Sequence, residues 1–203
     1  PLELAGRALQ SGQEDIRSRG LVVLVEHGKG TERGEELLGN SIDDEAPKVR
    51  SEAFRTLWAW HKGSPLVAID RALAGRFPDV RKRAVDELLA LAKPASDPHR
   101  LDAIERLVAE ISDRDEAVAR AAYSAVLDVE GKAYVKAHRL AMASAEPAVR
   151  SAGAYGARKA AADEVRPHLI RLLEDPDPRV REAAVDSLDE LHPSDGGPLR
   201  AGL

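Results

Sequence analysis

The chain has 203 residues, of which 43% are hydrophobic and only 3% aromatic, enough apolar material for one continuous core. It has no cysteine, which excludes disulfides and thiolate metal sites, and its net charge of −5 argues against a dedicated nucleic-acid binder. It has neither a long apolar run nor an opening signal peptide, so we expect a cytoplasmic protein without a membrane segment.

The two ends of the chain differ from its middle. Residues 1–11 resemble the second helix of a preceding repeat unit, and the chain begins with Pro1. After Leu191 the sequence turns to His192-Pro193-Ser194-Asp195-Gly196-Gly197-Pro198, without a convincing second helix. Repeat arrays need polar caps at both ends. Since neither end has one, we expect a fragment of a larger protein.

Between the ends an aliphatic anchor recurs at spacings of 33, 31, 38, 31 and 31 residues. The anchors are Ile16, Val49, Val80, Val118, Val149 and Val180. An arginine directly follows five of them, at Arg17, Arg50, Arg81, Arg150 and Arg181, whereas Val118 is followed by Ala119. Self-similarity at a period of about 20–50 residues indicates a repeat array. Such an array predicts an extended interaction surface rather than a closed catalytic pocket.

Each anchor opens an apolar stripe with helical spacing. Small residues stand four positions later, at Gly20, Ala53, Ala84, Ala122, Gly153 and Ala184. Apolar residues stand eight positions later, at Leu24, Leu57, Leu88, Val126, Ala157 and Leu188. The position eleven residues on holds His27, Trp60, Leu91, Val129, Ala160 and Leu191. These offsets lie on one side of a helix, which predicts a buried first helix in each unit.

A turn precedes each first helix, and a second apolar helix follows it. Proline stands two residues before four anchors, where a helix tolerates it in its first turn. Five residues before the anchors are Ser11, Asp44, Gly75, Asp113, Ser144 and Asp175, which can cap a helix or hold a turn. Breaks at residues 28–30, 63–65, 94–98 and 131 separate the two helices. The unit is a helical hairpin of about 31 residues.

The motif at residues 175–185, Asp-Pro-Asp-Pro-Arg-Val-Arg-Glu-Ala-Ala-Val, resembles HEAT repeats, in particular the short bacterial form similar to the HEAT-like repeats of phycobilin lyases. The resemblance covers residues 12–191. It implies an all-α, right-handed α–α superhelix (an armadillo-like α-solenoid) of five to six hairpins. It also implies that first helices line the convex side and second helices the concave side, and that the arginine series bonds to acidic turn residues of adjacent units.

The repeat runs through the chain, so we expect a single domain over residues 1–203. Its units span residues 12–44, 45–76, 77–114, 115–145, 146–176 and 177–203, with residues 1–11 ending a preceding unit.

Motifs for catalysis or metal binding are weak in this sequence. Gly28-Lys29-Gly30-Thr31 lacks the spacing of a phosphate-binding loop and suits an inter-helix turn. No two of the six histidines are three or four residues apart, so no helix presents a pair of metal ligands. Acidic pairs such as Glu35-Glu36 and Asp43-Asp44 suit helix and turn capping. We therefore expect no enzyme activity, no catalytic residue, no metal and no cofactor.

The remaining candidates are interaction surfaces. We interpret Arg17, Arg50, Arg81, Arg150 and Arg181 as a structural ladder. Residues 130–171 hold eight basic and four acidic residues in a chain that is negative as a whole. The candidate partner-binding residues lie on second helices and are Arg100, Arg106, Lys132, Lys136, Arg139, Arg166 and Arg171. Trp58, on a first helix, and the insertion at residues 93–99 are alternative contact sites.

The leading hypothesis for function is a non-catalytic protein-interaction scaffold that uses the concave face of second helices, with a protein partner that is acidic. The alternatives are a nucleic-acid-binding module, which salt-dependent binding would reveal, and a lyase-like or cofactor-chaperone enzyme, which a coloured or ligand-laden purified protein would reveal.

Overall fold

The computed structural model describes residues 1–191, and within that range the chain contains twelve α-helices and no strand. In chain order these are α1 (Leu2–Leu9), α2 (Glu14–His27), α3 (Glu32–Ser41), α4 (Pro47–Trp60), α5 (Pro65–Leu73), α6 (Pro78–Ala92), α7 (Arg100–Glu110), α8 (Glu116–Glu130), α9 (Val135–Met142), α10 (Pro147–Ala157), α11 (Ala162–Leu172) and α12 (Pro178–Glu190). The predicted all-α class built of helical hairpins is confirmed. Paired helices of one hairpin contact each other in α2/α3, α4/α5, α8/α9 and α10/α11. Helices α6 and α7 stand at the first-helix and second-helix positions of the third repeat, and α12 is a sixth first helix.

The chain divides into two compact units, Pro1–Glu87 and Leu88–Leu203, and the division falls inside α6. In the first unit, α2 packs on α4 and α1 packs on α3, so first and second helices form separate layers. In the second unit, α8 packs on α10, α10 packs on α12 and α9 packs on α11. The single domain expected over residues 1–203 stays a prediction.

The prolines predicted to open first helices do so. Helices α4, α6, α10 and α12 begin at Pro47, Pro78, Pro147 and Pro178. The missing N–H of proline costs nothing at the first helical position, because that group has no partner inside the helix. The run from Leu21 to Val25, strand-like when considered alone, lies inside α2 as the repeat register predicts.

The apolar stripe fills the core at most of its positions. At offset 8 every residue is buried, from Leu24 in α2 to Leu188 in α12. The small residues at offset 4 permit close helix contact: a Cβ at Gly153 would lie 2.7 Å from both Ala141 Cβ and the backbone nitrogen of Met142. In the second unit, a cluster of buried apolar residues runs from Met142 through α10 and α11 to Leu188.

Two parts of the predicted stripe are wrong. The anchor Ile16 of α2 is 36% exposed, whereas the other five anchors are at most 4% exposed. His27 is exposed, and the other residues at offset 11 are only half-buried. These positions lie in the last turn of a first helix or just beyond it, where the chain leaves the packed layer for the second helix.

Side chains five residues before the anchors hold the turns rather than cap the helices. Asp44, Asp113 and Asp175 each accept a hydrogen bond from the backbone N–H two residues later, at 2.7–2.9 Å. Ser11 and Ser144 make the same bond at 3.2 Å. This local bond satisfies a backbone donor in the turn and fixes the entry to the next helix.

Candidate partner-binding groove

The arginine that follows five of the six anchors binds its own turn. Nη1 of Arg150 donates to the carbonyl oxygens of Ser144 and Ala145, at 3.0 and 2.7 Å. The equivalent pairs of bonds are made by Arg50, Arg81 and Arg181, and one such bond by Arg17. These contacts satisfy carbonyl groups that the turn leaves open.

Arg17 and Arg150 also hold an aspartate of the following turn by a two-point ion pair. Nε and Nη2 of Arg150 lie 2.7 and 2.9 Å from the Asp175 carboxylate, and Arg17 holds Asp44 at the same distances. The hydrogen bond from Arg150 lowers the pKa of Asp175, and the bond to Asp44 raises the pKa of Arg17. Bidentate geometry of this kind fixes orientation as well as charge. The interpretation of the arginines as structural stays a prediction, which these contacts support.

The turn before α6 has Gly75 at the position where Asp44 and Asp175 stand in their turns, so it has no aspartate there for Arg50 to bind. Arg50 instead bonds Asp79, with Nη2 at 2.7 Å from Oδ2, and its guanidinium lies 3.8 Å from the centre of the Phe77 ring. The Arg76 guanidinium also contacts the Phe77 ring, at 4.5 Å from its centre. A cation over an aromatic face thus replaces part of the missing contact.

In the described part of the chain, three of the seven predicted partner-binding residues lie together, and the binding role of all seven stays a prediction. Lys136, Arg139 and Arg171 line a common groove between α9 and α11. Arg100 is instead engaged by Glu130 at 3.4 Å, and Arg106 donates to the carbonyl oxygen of Asp102 on its own helix. Lys132 is exposed and Arg166 half-buried, and neither is among the residues that line the groove.

The α9–α11 groove is open, has a volume of about 900 Å³ and combines charge with apolar surface. It is lined by Ala133, Tyr134, Val135, Lys136, Arg139, Leu140, Ala143, Glu164, His168 and Arg171. Three cations thus face one carboxylate. Within the described residues, Lys136, Arg139 and Arg171 form no ion pair. Unpaired cations around an apolar floor can bind an anionic group without first breaking an internal salt bridge.

His168 is a groove residue that the sequence reasoning did not single out. Burial lowers its pKa, and the neighbouring charges of Arg139 and Arg171 lower it further. The available signal was its position: His168 follows Glu164 by four residues and precedes Arg171 by three, so all three lie on one face of α11. That spacing, read together with the basic patch, would have placed it in the groove.

A buried polar network lies on the other side of α9. His138 is fully buried, and its Nε2 lies 2.8 Å from the Lys132 carbonyl oxygen. Because a carbonyl can only accept, Nε2 carries the proton and Nδ1 accepts from the Tyr123 hydroxyl, 2.8 Å away. Burial raises the pKa of Tyr123 and lowers that of His138. The network fixes α9, and hence Lys136 and Arg139, against α8.

Gly156 on α10 is required by this network. A Cβ at that position would lie 2.2 Å from the Tyr123 hydroxyl and 2.9 Å from His138 Cε1. No side chain fits at such a distance. Only glycine, which has no Cβ, is accommodated at position 156. The structure shows that it makes room for a buried hydrogen bond.

Trp58 lies in a smaller cleft of about 350 Å³ between α4 and α6. Phe54, Val80 and Trp58 form its apolar part, and the Phe54 and Trp58 ring centres are 6.3 Å apart. The rim carries both signs of charge, and Arg83 and Glu87 are already paired at 2.8 Å. Trp58 is half-buried, as packing against Phe54 predicts. No charge preference for a partner follows from this rim.

The remaining sequence motifs have structural roles. Residues 28–31 form the turn between α2 and α3, where the Thr31 hydroxyl accepts from the Gly34 N–H at 3.0 Å and caps α3. Among residues 1–191 no cluster of three or more histidine, aspartate or glutamate side chains could hold a metal ion. His192 lies outside the described residues. No helix in the described part of the chain is long and apolar enough to cross a membrane.

Comparison with known proteins gives one sequence match and several remote structural ones. No curated protein matches the sequence significantly. An engineered protein solved by the Northeast Structural Genomics Consortium is 18% identical, with a TM-score of 0.39 over 94% of this chain and 96% of that chain. A designed armadillo repeat protein in complex with the peptide (KR)4 is 14% identical, with a TM-score of 0.41 over 94% of this chain and 99% of that chain. Structural similarity this remote carries no argument about function.

The sequence profile of HEAT repeats matches residues 135–198, which include helices α9 and α11 and the motif at residues 175–185. The resemblance of this chain to HEAT-repeat proteins, expected from that motif, is therefore confirmed.

Proposed function

We propose that this protein is a non-catalytic interaction scaffold that binds an acidic protein segment in the α9–α11 groove. The observation that carries the proposal is the convergence of Lys136, Arg139 and Arg171, three cations without ion-pair partners in the described chain, on one open groove. A chain of net charge −5 repels acidic partners over most of its surface, so a local cationic site concentrates them at one place.

The groove is suited to binding better than to catalysis. It is open to solvent, and the titratable groups that line it are three cations, one carboxylate, one histidine and the phenol of Tyr134. A general acid or base works best when a closed site tunes its pKa toward the working pH. Burial and the charges of Arg139 and Arg171 instead lower the pKa of His168, and within residues 1–191 no carboxylate forms a hydrogen bond that would orient its ring.

Nucleic-acid binding is the second candidate, because the same three cations could contact phosphates. Phosphate contacts release counterions, so affinity for nucleic acid falls steeply with salt. A peptide that also uses the apolar floor depends less on salt. We therefore expect a labelled duplex DNA probe to bind more weakly than an acidic peptide at physiological salt.

Fluorescence anisotropy with a labelled ten-residue polyglutamate peptide tests the proposal. The reversal variant carries Lys136→Glu, Arg139→Glu and Arg171→Glu. A matched control carries Lys29→Glu, Lys48→Glu and Lys62→Glu, three exposed lysines of the first unit, and has the same net charge. We expect the reversal variant to lose at least about tenfold in affinity and the control to lose less, since long-range repulsion is common to both.

Circular dichroism establishes that both variants are folded before binding is measured. Equal losses in the two variants would show that net charge alone drives binding and would contradict the proposal. A duplex probe that binds tighter than the peptide, and is lost in the reversal variant, would favour the nucleic-acid alternative.

A further inference from the structure

The α9–α11 groove is polarised along α11. Glu164, His168 and Arg171 occupy successive turns of one helix face, so the groove changes from negative through neutral to positive along that helix. At 1.5 Å of rise per residue, the seven steps from Glu164 to Arg171 span about 10 Å. A ligand that lies along this face meets different charges at its two ends.

The floor beside α9 is apolar. Val135 and Leu140 are half-buried, Ala143 is exposed, and Tyr134 adds an aromatic ring. Half-buried aliphatic side chains in an open groove retain apolar surface that a ligand can cover. Covering such surface is favourable by about 25 cal/mol per Å². A ligand with only charged side chains leaves this contribution unused.

The spacing of an extended peptide matches this arrangement. In an extended chain, residues i and i+2 point to the same side, about 7 Å apart. A carboxylate between Arg139 and Arg171 therefore places the next same-side residue close to His168 and towards Glu164. A second carboxylate there would be repelled by Glu164, whereas an aliphatic side chain would contact the floor.

We propose that the groove recognises an extended protein segment in which an acidic residue and an aliphatic residue are two positions apart. This inference rests on the proposed function and narrows it, since it prefers a mixed segment to a uniformly acidic one. Arg139 and Arg171 bind the carboxylate, Leu140 and Val135 contact the aliphatic side chain, and Glu164 excludes a second acid.

Three labelled twelve-residue peptides test this specificity by fluorescence anisotropy. They are three copies of Glu-Ser-Leu-Ser, of Glu-Ser-Glu-Ser and of Glu-Ser-Ser-Ser, which differ only at the third position of each copy. We expect the peptide with leucine to bind at least about threefold tighter than the peptide with the extra glutamates, although it carries half the charge. The serine peptide is expected to bind weakest.

Two variants assign the effect to the groove. Glu164→Gln removes the repelling carboxylate at an exposed position, so it should tighten binding of the glutamate-rich peptide more than binding of the leucine peptide. Leu140→Ser should weaken only the leucine peptide. If Leu140→Ser fails to fold, the Glu164→Gln result still decides, because that side chain makes no packing contribution to the core.

The outcomes separate the two proposals. Binding of the glutamate-rich peptide as tight as that of the leucine peptide would overturn the specificity inference and leave the acidic-scaffold proposal standing. Absence of binding by all three peptides would overturn both. An equal effect of Glu164→Gln on the affinities of the leucine peptide and the glutamate-rich peptide would overturn the assigned role of Glu164.

Discussion

The fourth and fifth hairpins of this protein hold their turns by different chemistry. In the fifth hairpin, α10/α11, Arg150 holds Asp175 by a two-point ion pair in which both side chains are at most 13% exposed. In the fourth, α8/α9, the arginine position is Ala119, which is fully buried, and the aspartate position of the following turn is Ser144. The arginine that follows one place later, Arg120, points outward and pairs with Glu116 at 3.4 Å.

In the fourth hairpin both partners of the ladder are absent, since Ala119 and Ser144 stand at their positions. A buried aspartate without its arginine would be an uncompensated charge, which costs more than the pair contributes. With serine and alanine in place, neither charge remains. The fourth hairpin has a different polar contact, the Tyr123–His138 network, which is buried between α8 and α9. Hydrogen bonding between neutral groups there replaces an ion pair at the turn.

The largest expected effect on the free energy of unfolding does not depend on this difference between the two hairpins. Val126 in α8 and Ala157 in α10 occupy the same fully buried position of their hairpins. Val126→Asp would bury an unpaired charge, so we expect a loss of more than about 4 kcal/mol in the free energy of unfolding. The control Ser124→Asp lies on the exposed face of α8. Urea denaturation followed by circular dichroism measures both, and similar midpoints would show that the assigned helix register is wrong.

The next largest expected loss of stability comes from disturbing the buried Tyr123–His138 network of the fourth hairpin. Gly156→Ala would force a Cβ against the Tyr123 hydroxyl, and we expect it to destabilise by roughly 2–3 kcal/mol even though alanine is the better helix former. Adding Tyr123→Phe removes the oxygen and should recover part of the loss. Gly12→Ala is the control, since nothing lies within 4 Å of its added Cβ. A double variant no more stable than Gly156→Ala would rule out the clash as the cause.

Loss of the Arg150–Asp175 ion pair of the fifth hairpin should lower the free energy of unfolding somewhat less than Gly156→Ala does. Arg150→Ala leaves Asp175 buried and unpaired, and we expect it to cost about 2 kcal/mol. Arg150→Ala with Asp175→Ser recreates the arrangement of the fourth hairpin and should cost less than the single change. Arg120→Ala, an exposed arginine in a surface pair, should change stability by no more than about 0.5 kcal/mol. If the double variant is less stable than Arg150→Ala alone, the cost of that single change does not come from the unpaired charge of Asp175.

The smallest expected effect is a pH dependence of the free energy of unfolding, to which the two hairpins contribute unequally. Burial lowers the pKa of His138 in α9 and of His168 in α11 below the ordinary value of 6.5. The two histidines therefore bind protons more readily in the unfolded chain than in the folded one. Their contribution to the free energy of unfolding is fully present above pH 6.5 and is lost as the pH falls through and below that value. Because His138 is fully buried and His168 only half-buried, we expect most of the loss to come from His138.

Urea denaturation at pH 7.5, 6.5 and 5.5 checks this expectation in the native protein and in His168→Gln. The variant should retain most of the decline in stability between the first and the last pH. A flat profile in the variant would assign the decline to His168 instead and would place the sensitive group in the groove.

The sequence predicted the fold well because the fold depends on local, repeated signals. The anchors at Val49 and Val180, the prolines at Pro47 and Pro178 and the small residues four places after each anchor recur at nearly constant spacing, and each acts within one hairpin. The errors fall where the repetition ends. Ile16 is the anchor of α2, the earliest first helix among the described residues, and His27 lies in the last turn of that helix.

The candidate site was predicted only in part, because it depends on which helices become neighbours and which faces they present. Of the seven basic residues proposed from the sequence, only Lys136, Arg139 and Arg171 line the groove, whereas Arg100 is engaged by Glu130. His168 was missed because a single histidine carries no signal until its neighbours on α9 are known.

The sequence by itself determined the hairpin repeat, since helical periodicity and turn chemistry are properties of neighbouring residues along the chain. Only the tertiary structure decided the partners of each charge, because an ion pair or a groove joins residues 25 or more positions apart, such as Arg150 and Asp175 or Arg139 and Arg171. Side-chain length, helix rotation and packing set those distances, and small changes in any of them separate charges that the sequence alone would place together.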